Sequence, residues 1–124
     1  MELNDYQQKA MTTCMESCRN YTYMKDNLVA EVGEFSGKIA KAKRRDQITL
    51  TIDGDIAYRF DTIDELVEFK RELMKEAGDI LWQLSGLCHV MGWSLETVAQ
   101  ENLAKLAARK EAGTIDGDGD GIIR

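Results

Sequence analysis

The chain has 124 residues, with 22 acidic against 16 basic side chains and a formal net charge of -6. This length fits one domain with its own core, and the negative charge argues against nucleic acid or an anionic membrane as a partner. No apolar run approaches the roughly 20 residues that span a bilayer, and the N-terminal sequence MELNDYQQKA has no signal segment. We therefore expect a single-domain cytoplasmic protein.

A first helix is predicted over residues 3–18, where Cys14 and Cys18 stand one helical turn apart. The chain has three cysteines, an odd number that is too small for a disulfide scaffold and fits a reducing compartment. A zinc site formed by these two cysteines with Cys88 and His89 is an alternative. We favour buried free cysteines, because these are common and no Cys-x-x-Cys pair is present.

Helical spacing predicts a second helix over residues 22–44, after which the pattern changes to that of a strand pair. The sequence ITLTIDGDIAYRF alternates apolar with mostly polar residues around an Asp53-Gly54 turn, which predicts a small β-hairpin over about residues 47–61. A hairpin cannot bury both faces by itself. Its apolar face belongs to the core or to a contact with a second subunit, and we favour the subunit contact.

Two further helices complete the prediction. The sequence TIDE at Thr62 is a capping box that begins a long third helix ending near Gly92. Ser94 caps a fourth helix that ends at Gly113, and residues 114–124 form a Gly- and Asp-rich tail that we expect to be flexible. The expected fold is all-α, a four-helix bundle with a hairpin insertion between the second and third helices.

The second and third helices carry the same octapeptide pattern, LVAEVGEF over residues 28–35 and LMKEAGDI over residues 73–80. At about 100° per residue the acidic positions of both copies flank the apolar stripe that faces the core. If the two stripes pack together, four carboxylates converge at one edge of the seam. They are Glu31, Glu34, Glu76 and Asp79.

Each copy also has a glycine inside its helix, Gly33 and Gly78. Glycine destabilises a helix interior by about 1 kcal/mol relative to alanine, so a solvated acidic face does not explain two matched glycines. We expect close approach of a helix, a metal ion's ligands or a phosphate at these two positions.

Carboxylates held together repel one another unless a cation neutralises them. An all-oxygen set favours a hard ion, and Mg2+ keeps several waters and phosphate oxygens among its ligands, which suits a nucleotide phosphate substrate. Di-iron bundles use Glu-x-x-His pairs on two helices, whereas this chain has a single histidine. The residues therefore favour magnesium over iron.

The two acidic pairs resemble the signature of the MazG-like nucleotide pyrophosphohydrolases, members of the all-α NTP pyrophosphatase superfamily. The sequence EAGDILWQLSGL followed by LETVAQENLAKLAARKEAG is similar to the second half of that domain. The resemblance covers residues 4–113 apart from the hairpin, which is longer than the connection in many relatives. Its Asn-x-x-Lys-x-x-x-Arg pattern is matched by Asn102, Lys105 and Arg109.

The resemblance implies Mg2+-dependent hydrolysis of a nucleoside triphosphate, or its deoxy form, to the monophosphate and pyrophosphate, with Mn2+ as a possible substitute. It also implies a homodimer or homotetramer. Water would attack the α-phosphorus, oriented or deprotonated by Glu34 or, almost as well, by Glu31. The metal ligands implied are Glu31, Glu34, Glu76 and Asp79, and the phosphate contacts are Asn102, Lys105 and Arg109 with Lys38, which lies at an angle between the two acids of the second helix.

Aromatic residues suggest where a second copy binds. Trp82 lies opposite the third helix's apolar stripe and Trp93 lies near a helix surface, so we expect both tryptophans at a subunit contact. In that arrangement Tyr6 and Gln7 would reach a nucleotide base across the interface.

Two other classes of function remain open. In a calcium-binding module, Asp116, Asp118, Asp120 and Gly121 would fill the first positions of a calcium loop, but the chain ends at Arg124, before the twelfth-position Glu. In a non-catalytic helical interaction protein the acidic pairs would be surface residues only.

Overall fold

The computed structural model describes residues 1–113. In this range the chain forms α1 (Leu3–Met11), α2 (Tyr21–Arg44), β1 (Ile48–Leu50), β2 (Ile56–Tyr58), α3 (Ile63–Val90) and α4 (Leu95–Glu111). The predicted all-α class, with a small hairpin between the second and third helices, is confirmed. The tail and its calcium-like loop, residues 114–124, lie outside the described residues. None of the described helices has the length and apolar character needed to cross a membrane.

Side-chain caps fix the starts of the three longest helices, and the two that the sequence predicted are present. In each case a side-chain oxygen accepts a hydrogen bond from the backbone N–H three residues later, at 2.9–3.1 Å. The capping residues are Asn20 for α2, Thr62 for α3 and Ser94 for α4.

The first helix is shorter than predicted, and the expected range of residues 3–18 is wrong. It ends at Met11, and residues 16–18 form only a single 3-10 turn. The hydroxyls of Thr12 and Thr13 donate to the carbonyls three residues earlier, at 2.6 and 2.7 Å. Such local bonds compete with helix continuation. Arg19 then donates to the Met11 and Cys14 carbonyls, at 2.9 and 3.2 Å, and holds the reversed chain in place.

The two long helices α2 and α3 run in opposite directions and form the main seam. Lys38 lies beside Glu72, and Met24, four helical turns earlier on α2, contacts Gly86 on the last turns of α3. A Cβ atom at Gly86 would overlap the Met24 thioether, and Met24 is fully buried. The glycine therefore leaves room for the buried Met24 side chain at this end of the seam.

Helix α1 covers the C-terminal half of α3, where its Ala10 and Met11 join Cys14 and Met24 in a buried cluster. Trp82 packs against this cluster, and its indole N–H donates to the Ala10 carbonyl at 3.1 Å and to the Thr13 hydroxyl at 2.9 Å. Trp82 is thus half-buried within its own chain, and its place at a subunit contact stays a prediction. Its face of α3, opposite the apolar stripe predicted from the sequence, is the face that α1 covers.

Gln7 joins three elements inside the chain. Its amide N–H2 donates to the carbonyls of Ser85 and Trp93 at 3.3 and 3.0 Å, and its Oε1 accepts from the Leu95 backbone N–H at 3.0 Å. With 8% of its surface exposed, Gln7 does not extend toward a neighbouring copy. The expectation that it reaches a base across an interface is wrong.

The hairpin packs on its own bundle. Its strands are antiparallel, with Ile48 opposite Tyr58, and Ile48 is only 1% exposed. The Tyr58 and Phe60 rings contact Phe69 of α3 at centroid distances of 6.4 and 5.0 Å. The bundle thus covers part of this face, whereas Leu50 and Ile52 are 51% and 103% exposed, and the subunit contact stays a prediction for them.

Helix α4 is anchored chiefly at its start. Leu95 is buried, and the Glu96 backbone N–H donates to Asn4 Oδ1 at 3.1 Å. Further along, apolar side chains face outward, with Leu103 66% exposed. This helix is therefore only partly packed within one chain.

The cysteines belong to the core and not to a zinc site. Cys14 and Cys88 are buried, and His89 Nε2 lies 3.4 Å from Arg19 Nη1. Over residues 1–113, the side chains close enough to share a metal ion as a group of three or more include no cysteine or histidine. The zinc alternative is wrong.

Candidate metal centre

The α2–α3 seam brings carboxylates from both copies of the octapeptide together. Glu31 and Glu34 extend from α2 and Glu76 from α3, and each contributes an oxygen that lies within 4.8 Å of the others. Opposite helix directions make this possible, since the acidic turn of one copy then faces the acidic turn of the other. Three of the four acids expected at this seam therefore form one cluster, the carboxylate cluster.

Two oxygens of the cluster are buried without a protein partner. Glu31 Oε2 and Glu76 Oε2 are inaccessible to solvent and have no hydrogen-bond donor within the described part of the chain. A buried carboxylate oxygen without a donor is strongly destabilising, because it has lost its hydration with no replacement. A cation at this point would satisfy both oxygens, and the all-oxygen set fits a hard divalent ion.

The pKa of the Glu31 carboxyl is raised above its ordinary value, first by burial and then by repulsion from Glu34. A hydrogen bond with Glu34 and the charges of Asp79 and Glu76 act in the same direction. The cluster is thus held under electrostatic repulsion that either a proton or a cation relieves.

Asp79 lies at the edge of this site and is exposed. It does not belong to the group of oxygens within 4.8 Å, yet its charge raises the pKa of Glu31 and also of Tyr6 on α1. Its position three residues after Glu76 turns it toward α1. Asp79 therefore lies between the carboxylate cluster and α1.

The matched glycines do not serve helix packing. A Cβ atom at Gly33 or Gly78 would meet no neighbouring atom within 4 Å. The expected close approach of a helix is wrong at both positions, and the glycine that does allow it is Gly86, which the sequence did not single out. Both positions face open space in the described chain.

Lys38 lies directly beside the cluster. Its Nζ is 3.7 Å from Glu76 Oε1 and 3.8 Å from Glu72 Oε2. The half-buried ammonium thus partly balances the acidic charge from the side of α2 that leads toward the hairpin. A phosphate group bound at the carboxylates would lie within reach of it.

The polar row on α4 lies elsewhere in the chain. Asn102 lines an open groove of about 350 Å³ beside Leu81 and Leu84, on the α3 face away from α2. Among residues 1–113, no hydrogen bond or ion pair joins Asn102 or Lys105 to the carboxylate cluster. Arg109 follows Lys105 one turn later on the same helix.

Sequence reasoning overlooked other side chains at this site. Tyr23 has its pKa raised first by a hydrogen bond with Cys18, then by burial and by several charges including Glu31. Gln83, seven residues after Glu76, is 5% exposed, and its Oε1 has no donor in the described chain. The seven-residue spacing could have found Gln83. Tyr6, which the sequence placed at an interface between copies, lies near Asp79 of its own chain through the packing of α1.

The comparisons with known proteins agree with this geometry. The MazG nucleotide pyrophosphohydrolase domain matches residues 19–114. The chain belongs to the MazG nucleotide pyrophosphohydrolase family. It is also 33% identical over 105 residues to the Gene 37 protein of Mycobacterium phage L5, covering 85% of this chain and 79% of the phage protein. No solved structure matches the chain.

Membership in the MazG family gives the carboxylate cluster its context. The family acts on nucleotides and generally uses a divalent metal ion. Both acidic pairs lie within the matched range. The seam between α2 and α3 is thus the candidate metal centre of a nucleotide-processing domain.

Proposed function

We propose that this MazG domain is a Mg2+-dependent pyrophosphohydrolase that converts a nucleoside triphosphate, or its deoxy form, to the monophosphate and pyrophosphate. The observation that carries the proposal is the meeting of Glu31, Glu34 and Glu76 oxygens within 4.8 Å inside the family-matched range. Residues 1–113, with the hairpin as an insertion, form the catalytic domain. It acts on the cytoplasmic nucleotide pool, in pool control or the removal of damaged nucleotides.

The metal ligands are Glu31, Glu34 and Glu76, with Asp79 acting from the edge of the site. The two buried oxygens that lack donors support this choice, because a divalent cation satisfies them at once. When bound there, Mg2+ supplies positive charge to the phosphate oxygens and makes a nearby water more acidic. Mn2+ has the same preference for oxygen and would substitute for it.

Glu34 orients the attacking water and accepts its proton. Its carboxylate is exposed, whereas Glu31 is more buried, has a raised pKa and is less able to meet incoming water. The water oxygen bonds to the α-phosphorus, the bond from this phosphorus to the α,β-bridging oxygen breaks, and pyrophosphate leaves with that oxygen. The proton of the water passes to the Glu34 carboxylate.

Cationic side chains balance the phosphate charge. Lys38 is already placed beside the carboxylates, 3.7 Å from Glu76. We assign Asn102, Lys105 and Arg109 to phosphate contacts as well, because they share one face of α4 at helical spacing. In an assembly, the α4 of one copy would bring this row to the site of another.

A homodimer, or two dimers paired as a tetramer, fits the uncovered faces. Met74, Leu81 and Leu84 are 73%, 39% and 37% exposed on one side of α3. The 17-residue helix α4 has little packing beyond its first turn, and helices of this length are marginally stable alone. Sedimentation equilibrium at micromolar concentration tests this assembly, and a monomer would contradict it.

The activity is tested by incubating the full chain with each common NTP and dNTP plus Mg2+ and measuring pyrophosphate. We expect release from at least one of them, and Glu34→Gln to lower kcat by about 100-fold or more, as for the loss of a general base. Asp79→Asn should weaken activation by Mg2+. Glu65→Gln, an exposed acid at the start of α3, is the matched control and should behave as wild type. Release unaffected by Glu34→Gln would refute the assignment.

A further inference from the structure

A row of cations continues along α2 from the carboxylate cluster. Glu31 is followed at seven-residue intervals by Lys38 and Arg45, and Glu34 is followed at the same interval by Lys41. Seven residues are nearly two helical turns, so the side chains of each series lie on one face of the helix. The face that carries the acids therefore becomes cationic toward the hairpin.

The three cations line one groove between α2, α3 and the hairpin. The groove measures about 170 Å³, and Lys38, Lys41 and Arg45 lie on its α2 side. Its floor includes the buried Ala42 and the ring of Phe69. Lys41 lies about 4.5 Å and Arg45 about 10 Å beyond Lys38 along the helix axis, at about 1.5 Å per residue. The groove thus begins where the carboxylate cluster ends.

The acids of this groove already have cationic partners, whereas two of its cations have none. Glu72 Oε1 lies 3.2 Å from Lys75 Nζ, and Glu68 Oε2 lies 3.5 Å from Arg71 Nη1. Within residues 1–113, Lys41 and Arg45 form no ion pair. Positive charge therefore remains in the groove for an external anion.

We infer that Lys41 and Arg45 form a subsite for the terminal phosphate of the substrate, one step beyond Lys38. This inference rests on the proposed function, since it places the triphosphate at the carboxylate cluster. The nucleotide then lies along the α2–α3 seam with its terminal phosphate toward the hairpin. Its nucleoside points the opposite way, toward Tyr6 and Tyr23, which lie beside Asp79 and Glu31. The subsite makes the site prefer triphosphates over diphosphates.

The same helix end supplies a matched control. Lys43 and Arg44 are also exposed cations in the KAKRR sequence, but they do not line the groove. Cations in the last turn of a helix stabilise it through its dipole wherever they point. The double variants Lys41→Ala/Arg45→Ala and Lys43→Ala/Arg44→Ala therefore lose the same charge and a similar dipole interaction, and only the first pair empties the subsite.

The test is calorimetric binding of α,β-methylene analogues of the four deoxynucleoside triphosphates, each compared with its diphosphate, to the full chain in Mg2+. Lys41→Ala/Arg45→Ala should weaken binding of the triphosphate analogue about tenfold, which corresponds to about 1.4 kcal/mol. Binding of the diphosphate should weaken less than about twofold. The control pair should change the affinity for each of the two ligands less than about twofold.

Three results would overturn the subsite. These are equal weakening by both double variants, equal weakening of triphosphate and diphosphate, and a wild-type chain that binds neither. The proposed function is tested separately by pyrophosphate release. If binding follows the expected pattern but the wild-type chain hydrolyses no nucleotide, the subsite is supported and the proposed activity is refuted. If the wild-type chain hydrolyses nucleotides but Lys41→Ala/Arg45→Ala shows no triphosphate-specific loss of affinity, the activity is supported and the subsite is refuted.

Discussion

Two carboxylates three residues apart on one helix have different environments. Glu31 has a buried oxygen without a donor and a raised pKa, whereas Glu34 is exposed. The difference follows from the seam, since α3 covers one side of α2 and leaves the other open. We accordingly assign metal binding to both residues and proton transfer to Glu34.

The raised pKa of Glu31 has a consequence for stability. The folded chain keeps the Glu31 proton at a pH where the unfolded chain, with an ordinary pKa of 4.5, has lost it. The free energy of unfolding of the metal-free protein therefore falls as the pH rises through 4.5 to the raised pKa. Above that range the repulsion remains until a cation binds.

Replacing Glu31 by Gln should therefore stabilise the protein in the absence of metal. We expect Glu31→Gln to melt a few degrees above wild type at pH 7 in EDTA, because the buried charge is gone. Mg2+ should raise the melting temperature of wild type, as a ligand of the folded state does, and should have little effect on the variant. Calorimetry of both proteins measures this, with Glu101→Gln, an exposed acid inside α4, as control. A variant that melts below wild type in EDTA contradicts the account of the cluster.

At the residue scale, the sequence predicts which side chains share one face of a helix. It does not predict which other face a further helix covers. The acidic positions came from a repeat that local geometry places beside the stripe. Trp82 was placed on the surface because it lies opposite that stripe, but α1 covers the opposite side. The edge position of Asp79 likewise depends on where α1 packs.

At the scale of the helices, Gly86 and Gly78 have opposite roles. Gly86 lies against the Met24 side chain of α2, whereas Gly78 faces open space. Both lie inside α3, so alanine at either position gains the same helix propensity. Their difference in stability therefore isolates the packing of the seam.

Alanine substitutions should accordingly have opposite signs. Gly78→Ala should raise the free energy of unfolding by about 1 kcal/mol, the propensity gain alone. Gly86→Ala should lower it by about 1–2 kcal/mol, since overpacking a core exceeds that gain. Urea unfolding of the two variants gives both values. Equal stabilisation by the two substitutions would show that the Met24 side chain moves aside without cost.

The helix boundaries were predictable where a capping residue marks them. Thr62 and Ser94 start α3 and α4 as expected, because a cap acts within four residues. The end of α1 was missed, since apolar spacing continues past Met11 while the Thr12 and Thr13 hydroxyls bond the preceding turn. Arg19 also bonds to two carbonyls of this segment, and these bonds form only once the chain has reversed.

At the scale of the whole molecule, an antiparallel pair of similar helices builds the site. Each copy of the octapeptide brings its acids to the same level of the seam, and the hairpin and α1 close its two ends. Within residues 1–113, no hydrogen bond or ion pair joins Asn102 or Lys105 of α4 to this seam, and α4 itself is only partly covered. In the proposed assembly a second copy would complete the phosphate site, and a single sequence does not specify such a contact.

The most direct test of the central claim is to hydrolyse the preferred nucleotide in water enriched in oxygen-18 and to locate the label by mass spectrometry. Attack at the α-phosphorus predicts one labelled oxygen in the monophosphate and none in the pyrophosphate, with the rate lost in Glu34→Gln. Label in pyrophosphate or in orthophosphate would mean attack at another phosphorus, and would contradict pyrophosphohydrolysis at the carboxylate cluster.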